Sequence, residues 1–93
     1  MIIFGAGLVG EATLYAARAK GVPIECFLDS RIEGWVSGVP VNPVNESIPS
    51  SGIYLTSPNI EDMIKPLERM GRNDWQSCGD LLRDFDLSSV DWS

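Results

Sequence analysis

The sequence predicts an α/β fold, a small three-layer domain with a mainly parallel sheet of three or four strands, and three observations predict it. The chain starts on an apolar run, Ile2-Ile3-Phe4, that breaks into Gly5-Ala6-Gly7-Leu8-Val9-Gly10 and passes at once into an alanine-rich helical stretch. A second run, Ile24-Glu25-Cys26-Phe27-Leu28, follows the helix stop at Gly21 and Pro23 and ends on an acid, Asp29. A third, Ile53-Tyr54-Leu55-Thr56, leads into a segment with helical apolar spacing. Strands alternating with helical patterns build parallel sheets.

Each glycine of the first turn has a distinct expected role. Gly5 makes the sharp turn out of the strand, Gly7 lets a pyrophosphate approach the backbone, and Gly10 lets the helix pack closely on its strand. The unpaired N–H groups and positive dipole end of the new helix favour an anion there. Strand, G-x-G-x-x-G, helix, strand and terminal acid about 20 residues on form the full context of a Rossmann-type βαβ unit. A complete dinucleotide domain needs about six strands. The 93 residues therefore predict half of one, either a piece of a longer protein or a unit completed by association.

The first helix is expected over residues 8–20, with Gly10, Leu14, Ala17 and Gly21 along the face that meets the sheet and Glu11 and Arg18 solvated on the opposite face. The second strand, 24–28, is nearly all apolar, as a strand covered on both faces should be. Gly34, Gly38, Pro40, Pro43 and Pro49 exclude a long helix between residues 30 and 51. Val39-Pro40-Val41 reads as at most a short edge strand, because proline cannot donate to a ladder, and residues 45–48 as one helical turn. Ser57 is placed to cap a helix over 58–70, with Pro58 at its first position and Gly71 at its end. Ile60, Met63, Ile64, Leu67 and Met70 form its core stripe, and Pro66 predicts a kink or break near Lys65. Residues 75–77 suit a short fourth strand and 80–85 a helical segment. The reading divides the chain into a unit over 1–72 and an acidic segment over 73–93 that packs on the domain or on a partner. The expected strand order is 24–28, 1–4, 53–56, which puts a ligand crevice above the C-terminal ends of the first and third strands.

Composition narrows the function. A net charge of −6, with seven Lys and Arg scattered singly, argues against nucleic acid and anionic membranes as partners. Two cysteines 52 positions apart fit no metal spacing and no disulfide framework, and read as reduced thiols. No basic signal region and no apolar run long enough to span a membrane is present, so a cytoplasmic setting is expected. With no histidine, no Tyr-x-x-x-Lys and no activated cysteine, the chain carries no expected catalytic residue.

The pattern I-I-F-G-A-G-x-x-G, then G-x-x-I-x-x-F-x-D, then G-x-P-V, then a strand into S-P-N-I and a helix ending M-G, resembles the N-terminal nucleotide-binding domains of bacterial polysaccharide-biosynthesis proteins. These include the domain preceding the β-helix of sugar-nucleotide acyltransferases, and modules preceding some nucleotide-sugar dehydratases, epimerases and methyltransferases. The match covers roughly residues 1–72 and leaves out the tail and any catalytic domain. The resemblance implies that Gly5, Ala6, Gly7, Leu8, Val9 and Gly10 face the phosphates of a nucleotide sugar. It also implies that Asp29, with Ser30 and Arg31 beside it, meets ribose or base, and that Thr56 and Ser57 line the same crevice.

The expected function is thus a nucleotide-binding module, for a nucleotide sugar or an NAD-type dinucleotide, working as a homo-oligomer or beside a missing catalytic domain. Asp29 favours a free ribose hydroxyl over a 2′-phosphate, and Arg31 tempers that preference. Two alternatives stand beside it: a non-binding assembly module on the same half-fold, and a fragment of an S-adenosylmethionine-dependent methyltransferase. The latter fits less well, because such loops usually carry an acid before the first glycine, where this chain has Phe4.

Overall fold

A computed structural model describes residues 1–44, 52–56, 60–69, 71, 73–83, 85, 86 and 88, with residues 60–63 and 66 described by backbone alone. In chain order the elements are β1 (Ile2–Phe4), α1 (Leu8–Ala19), β2 (Cys26–Leu28), β3 (Gly34–Val36), β4 (Val39–Asn42), β5 (Ile53–Leu55), α2 (Ile60–Arg69), β6 (Trp75–Ser77) and α3 (Gly79–Arg83). The six strands form one mixed sheet in the order β3-β4-β2-β1-β5-β6. Every pairing is parallel except the antiparallel one between β3 and β4. The expected central order of second, first and third predicted strands is present as β2-β1-β5, and the short strand expected at 75–77 extends it as β6.

The sheet is larger than the three or four strands expected, and the excess lies at β3 and β4. Both residues of the turn between them, Ser37 and Gly38, have positive φ, 48° and 85°. That is the tight hairpin geometry whose twist matches paired strands. Pro40 sits in β4, which is not an edge strand but lies between β3 and β2. The register explains how a proline is tolerated there. Val36 pairs with Val39 next to the two-residue turn, so the adjacent pair, Trp35 with Pro40, falls at a position where no ladder bond is exchanged. On the other side, pairing with β2 begins only at Val41.

Alternation along the strands creates two cores. Ile3, Phe27 and Tyr54 point to one face, where Leu14, Ala16 and Ala17 of α1 and Leu81 of α3 cover them. Ile2, Phe4, Cys26, Leu28, Ile53 and Leu55 point to the other, against Leu67 of α2, which is fully buried. Helices on both faces of the sheet make three layers. Thr13 is also fully buried, and its hydroxyl is satisfied by donating to the Val9 carbonyl one turn back, at 2.8 Å.

Three expectations require correction or qualification. Helix α2 runs from Ile60 to Arg69 with Pro66 inside it, so that, of the kink or break expected near Lys65, the break does not occur. Glu11 is not solvated: it is 8% exposed, because the hairpin tip folds over its side of α1. Arg18 is exposed but not idle, since its guanidinium donates to the Ser37 carbonyl at 2.8 Å. The helical turn expected at 45–48 and the cap at Ser57 and Pro58 lie outside the described residues.

Candidate functional site

The strand order reverses direction between β1 and β5: the chain moves from β1 outward through β2 to β4, then returns to pair β5 on the opposite side of β1. In open α/β sheets, such a switch point opens a crevice above the C-terminal strand ends. The first glycine loop lies at that end of β1. Gly5 leaves the strand at φ 109°, a conformation that strongly favours glycine, and its N–H donates to the Leu28 carbonyl at 2.7 Å. This bond carries the β1–β2 ladder one residue past the strands and draws the loop alongside Asp29.

Gly10 then faces back onto the turn. A Cβ there would run into the Gly5 carbonyl oxygen and come within 2.9 Å of its carbon, with Phe27 at 3.5 Å. Gly7 is different. It is the N-cap of α1 in extended conformation (φ −78°), carries no side-chain cap, and a Cβ on it would meet nothing within 4 Å. Its carbonyl accepts the first helical bond from the Glu11 amide at 2.9 Å. The first-turn N–H groups have no intrahelical acceptor and point toward the crevice end of the helix. Leu8 and Val9 occupy that turn, 72% and 45% exposed.

Asp29 is tied at both ends. Its backbone N–H donates to the Asn42 carbonyl of β4 at 3.1 Å, which fixes where the side chain starts. Its Oδ2 accepts the Ala6 amide at 2.9 Å, and its Oδ1 accepts the Arg31 and Ile32 amides at 2.7 and 3.0 Å. Partial burial pushes the Asp29 carboxyl up, but these three amides, with the Arg31 charge adding to them, outweigh it and hold the group below its ordinary value of 3.8. Asp29 is therefore an anion braced by backbone donors.

The remaining expected residues divide. Ser30 and Arg31 are exposed in the turn beyond β2, next to the Ala6–Asp29 contact in sequence. Thr56 stands at the end of β5, and its hydroxyl donates to the Phe4 carbonyl at 2.8 Å, bridging the two strands at the switch point. Ser57 lies outside the described residues. The structure thus brings Gly5, Ala6, Gly7, Gly10, Asp29 and Thr56 to one end of the sheet.

A second polar group was not expected. The hydroxyls of Tyr15 and Ser37 lie 2.8 Å apart, Ser37 Oγ also donates to Glu11 Oε2 at 3.2 Å, and the Arg18 guanidinium stands 5.9 Å from the Tyr15 ring centre. The signal for it was the Ser-Gly pair between Val36 and Val39, a two-residue hairpin turn whose tip must land on a neighbouring element. Among the described residues, no group of three or more His, Cys, Asp or Glu side chains could hold a metal ion, and no helix is long and apolar enough to cross a membrane.

No protein-family model, curated protein or solved structure matches the chain.

Proposed function

We propose that the chain is a nucleotide-binding module that holds the phosphates of a nucleotide sugar or NAD-type dinucleotide at the glycine loop, beyond the C-terminal end of β1 in its six-stranded sheet. The observation that carries this reading is the contrast among the three glycines. Gly5 and Gly10 answer to the protein itself, one through its φ and the other through contact with the turn. Gly7 answers to neither: its φ is ordinary and the space beside it is empty. An Asp, Ser or Thr there would cap α1 at least as well. Glycine at that position leaves the helix N–H groups uncovered, which is what a phosphate approaching the backbone requires.

Two further observations support it. The parallel strands β4-β2-β1-β5-β6 follow the order of the first half and the start of the second half of a dinucleotide fold, with the loop at the switch point. Three of the four exposed large apolar residues among those described, Leu8, Val9 and Ile32, lie within three positions of Ala6 or Asp29 in sequence. Apolar groups around an anion site suit a ligand with both phosphate and a base. Catalysis is not part of the proposal.

A second reading, an assembly module, draws on the fourth such residue. Trp35 is 70% exposed on β3, an edge strand of the sheet. Thermal shift of the purified chain with UDP-sugars, NAD, NADP, CoA and S-adenosylmethionine separates the two. A ligand that binds only the folded chain stabilises it by about 2.7 kcal/mol at a hundredfold excess over its dissociation constant. A rise in melting temperature with one class supports the module; no rise with any of them removes it in favour of assembly.

A further inference from the structure

We propose that Asp29 is a positioning residue for the glycine loop, a clasp whose carboxylate joins the Ala6 amide on one side to the Arg31 and Ile32 amides on the other. The usual expectation for an acid at the end of the second strand is that it waits for a ribose. Here its acceptor capacity is largely committed to the protein. A carboxylate offers about four lone-pair positions, and three are taken by backbone donors from two separate segments. The Ala6 bond spans 23 positions in sequence and reaches the residue between Gly5 and Gly7. Because Asp29 is itself pinned through its N–H to β4, the clasp sets the distance between the loop and the end of β2.

One acceptor position on Oδ2 is left for a ligand hydroxyl. Asp29 then contributes to binding mainly by holding the loop, and only secondarily by touching the ligand. That consequence rests on the nucleotide reading, while the clasp itself does not, and the two fail in different experiments.

The first test uses the unaltered chain without ligand. In an NMR pH titration the amide protons of Ala6, Arg31 and Ile32 shift together with one midpoint, since one carboxylate holds all three. An Ala6 amide that does not follow the other two overturns the clasp. The second test is Asp29→Asn, which puts an NH2 group where an acceptor must face either Ala6 or the Arg31–Ile32 turn. Hydrogen exchange then quickens about tenfold or more on the side the NH2 group faces, at Ala6 or at Arg31 and Ile32, as loss of a charge-assisted bond predicts, while exchange at Ile3, Phe27 and Tyr54 in the sheet is unchanged. Unchanged exchange at all three amides overturns the clasp; if the variant does not fold, the titration decides. NAD and UDP-glucose are added last. Failure of both to bind the unaltered chain counts against phosphate binding and leaves the two ligand-free tests standing.

Discussion

Gly10 is packed so tightly against the carbonyl of Gly5 that there is no room for a methyl group between them. A Cβ on Gly7, three residues earlier, would meet nothing within 4 Å. The two positions therefore respond differently to substitution. Gly10→Ala forces α1 away from the end of β1, and overpacking of this kind costs roughly 1–3 kcal/mol. In a domain of this size each kcal/mol lowers the melting temperature by about 4–8 °C. Gly7→Val costs about 0.5–1 kcal/mol, because valine caps a helix less well than glycine, and its side chain covers the first-turn N–H groups, so that nucleotide binding is lost. Thermal melts with and without the ligand found in the screen check both. A Gly7→Val chain that binds with unchanged affinity contradicts the phosphate role of the loop.

The pH dependence of Asp29 follows from the sign of its shift. Its carboxyl is held below 3.8 in the folded chain. A group with a depressed folded value contributes stability that is present above the unfolded value and is lost as pH falls through the folded one. The stability difference between the unaltered chain and Asp29→Asn is therefore constant from pH 7 down to about 5, then narrows below 3.8 as the carboxylate takes up a proton. Urea unfolding of both chains at pH 7, 5 and 3 measures this. A difference that persists undiminished at pH 3 would mean that the carboxylate charge is not what stabilises the loop.

The parts of this architecture that were legible in the sequence are those governed by local chemistry. The Ile2–Phe4 strand, the glycine turn and the helix after it follow from residues close together in the chain, and the order β2-β1-β5 follows from the crossover expected of parallel strands. What was missed depends on distant contacts. Strand β3 has three residues, begins on a glycine and exposes its tryptophan, so no alternation marks it. The place of Pro40 inside the sheet depends on a register that only the hairpin sets. Helical spacing places Glu11 on the face away from the sheet, and nothing local shows that Ser37, 26 positions away, reaches it there. Asp29 stands out in the sequence as an acid ending a strand, but no spacing rule shows that Ala6, Arg31 and Ile32 would claim its oxygens.

The Tyr15–Ser37 contact holds the hairpin tip on α1 and can be isolated by a double-mutant cycle. Tyr15→Phe deletes one hydroxyl and costs about 0.5–1.5 kcal/mol. Ser37→Gly deletes the other but relieves a left-handed conformation, φ 48°, that costs a non-glycine residue about 1–2 kcal/mol. The single Ser37→Gly change also removes the bond to Glu11 Oε2, so the two lost bonds outweigh that relief and the change is destabilising. In that background Tyr15→Phe no longer loses the bond to Ser37 Oγ, and its cost falls by about 0.5–1.5 kcal/mol. Additive effects in urea unfolding would show that the two hydroxyls do not interact in solution.

Leu67 offers the test of the layer arrangement itself. Helix α2 meets its face of the sheet through this fully buried side chain, with Ile64 packed beside the same cluster of Ile2, Phe4, Ile53 and Leu55. Leu67→Ala leaves a cavity between helix and sheet, and such changes cost about 2–5 kcal/mol depending on how far the surroundings collapse. An exposed leucine replaced the same way would cost only about 0.5 kcal/mol, so the two packing arrangements are well separated. The damage is also directional. Amides of α2 lose exchange protection first, while those of α1, packed on the opposite face through Leu14, Ala16 and Ala17, keep theirs until global unfolding. A Leu67→Ala chain as stable as the original, or one in which α1 loosens before α2, would mean that α2 does not cover this face of the sheet.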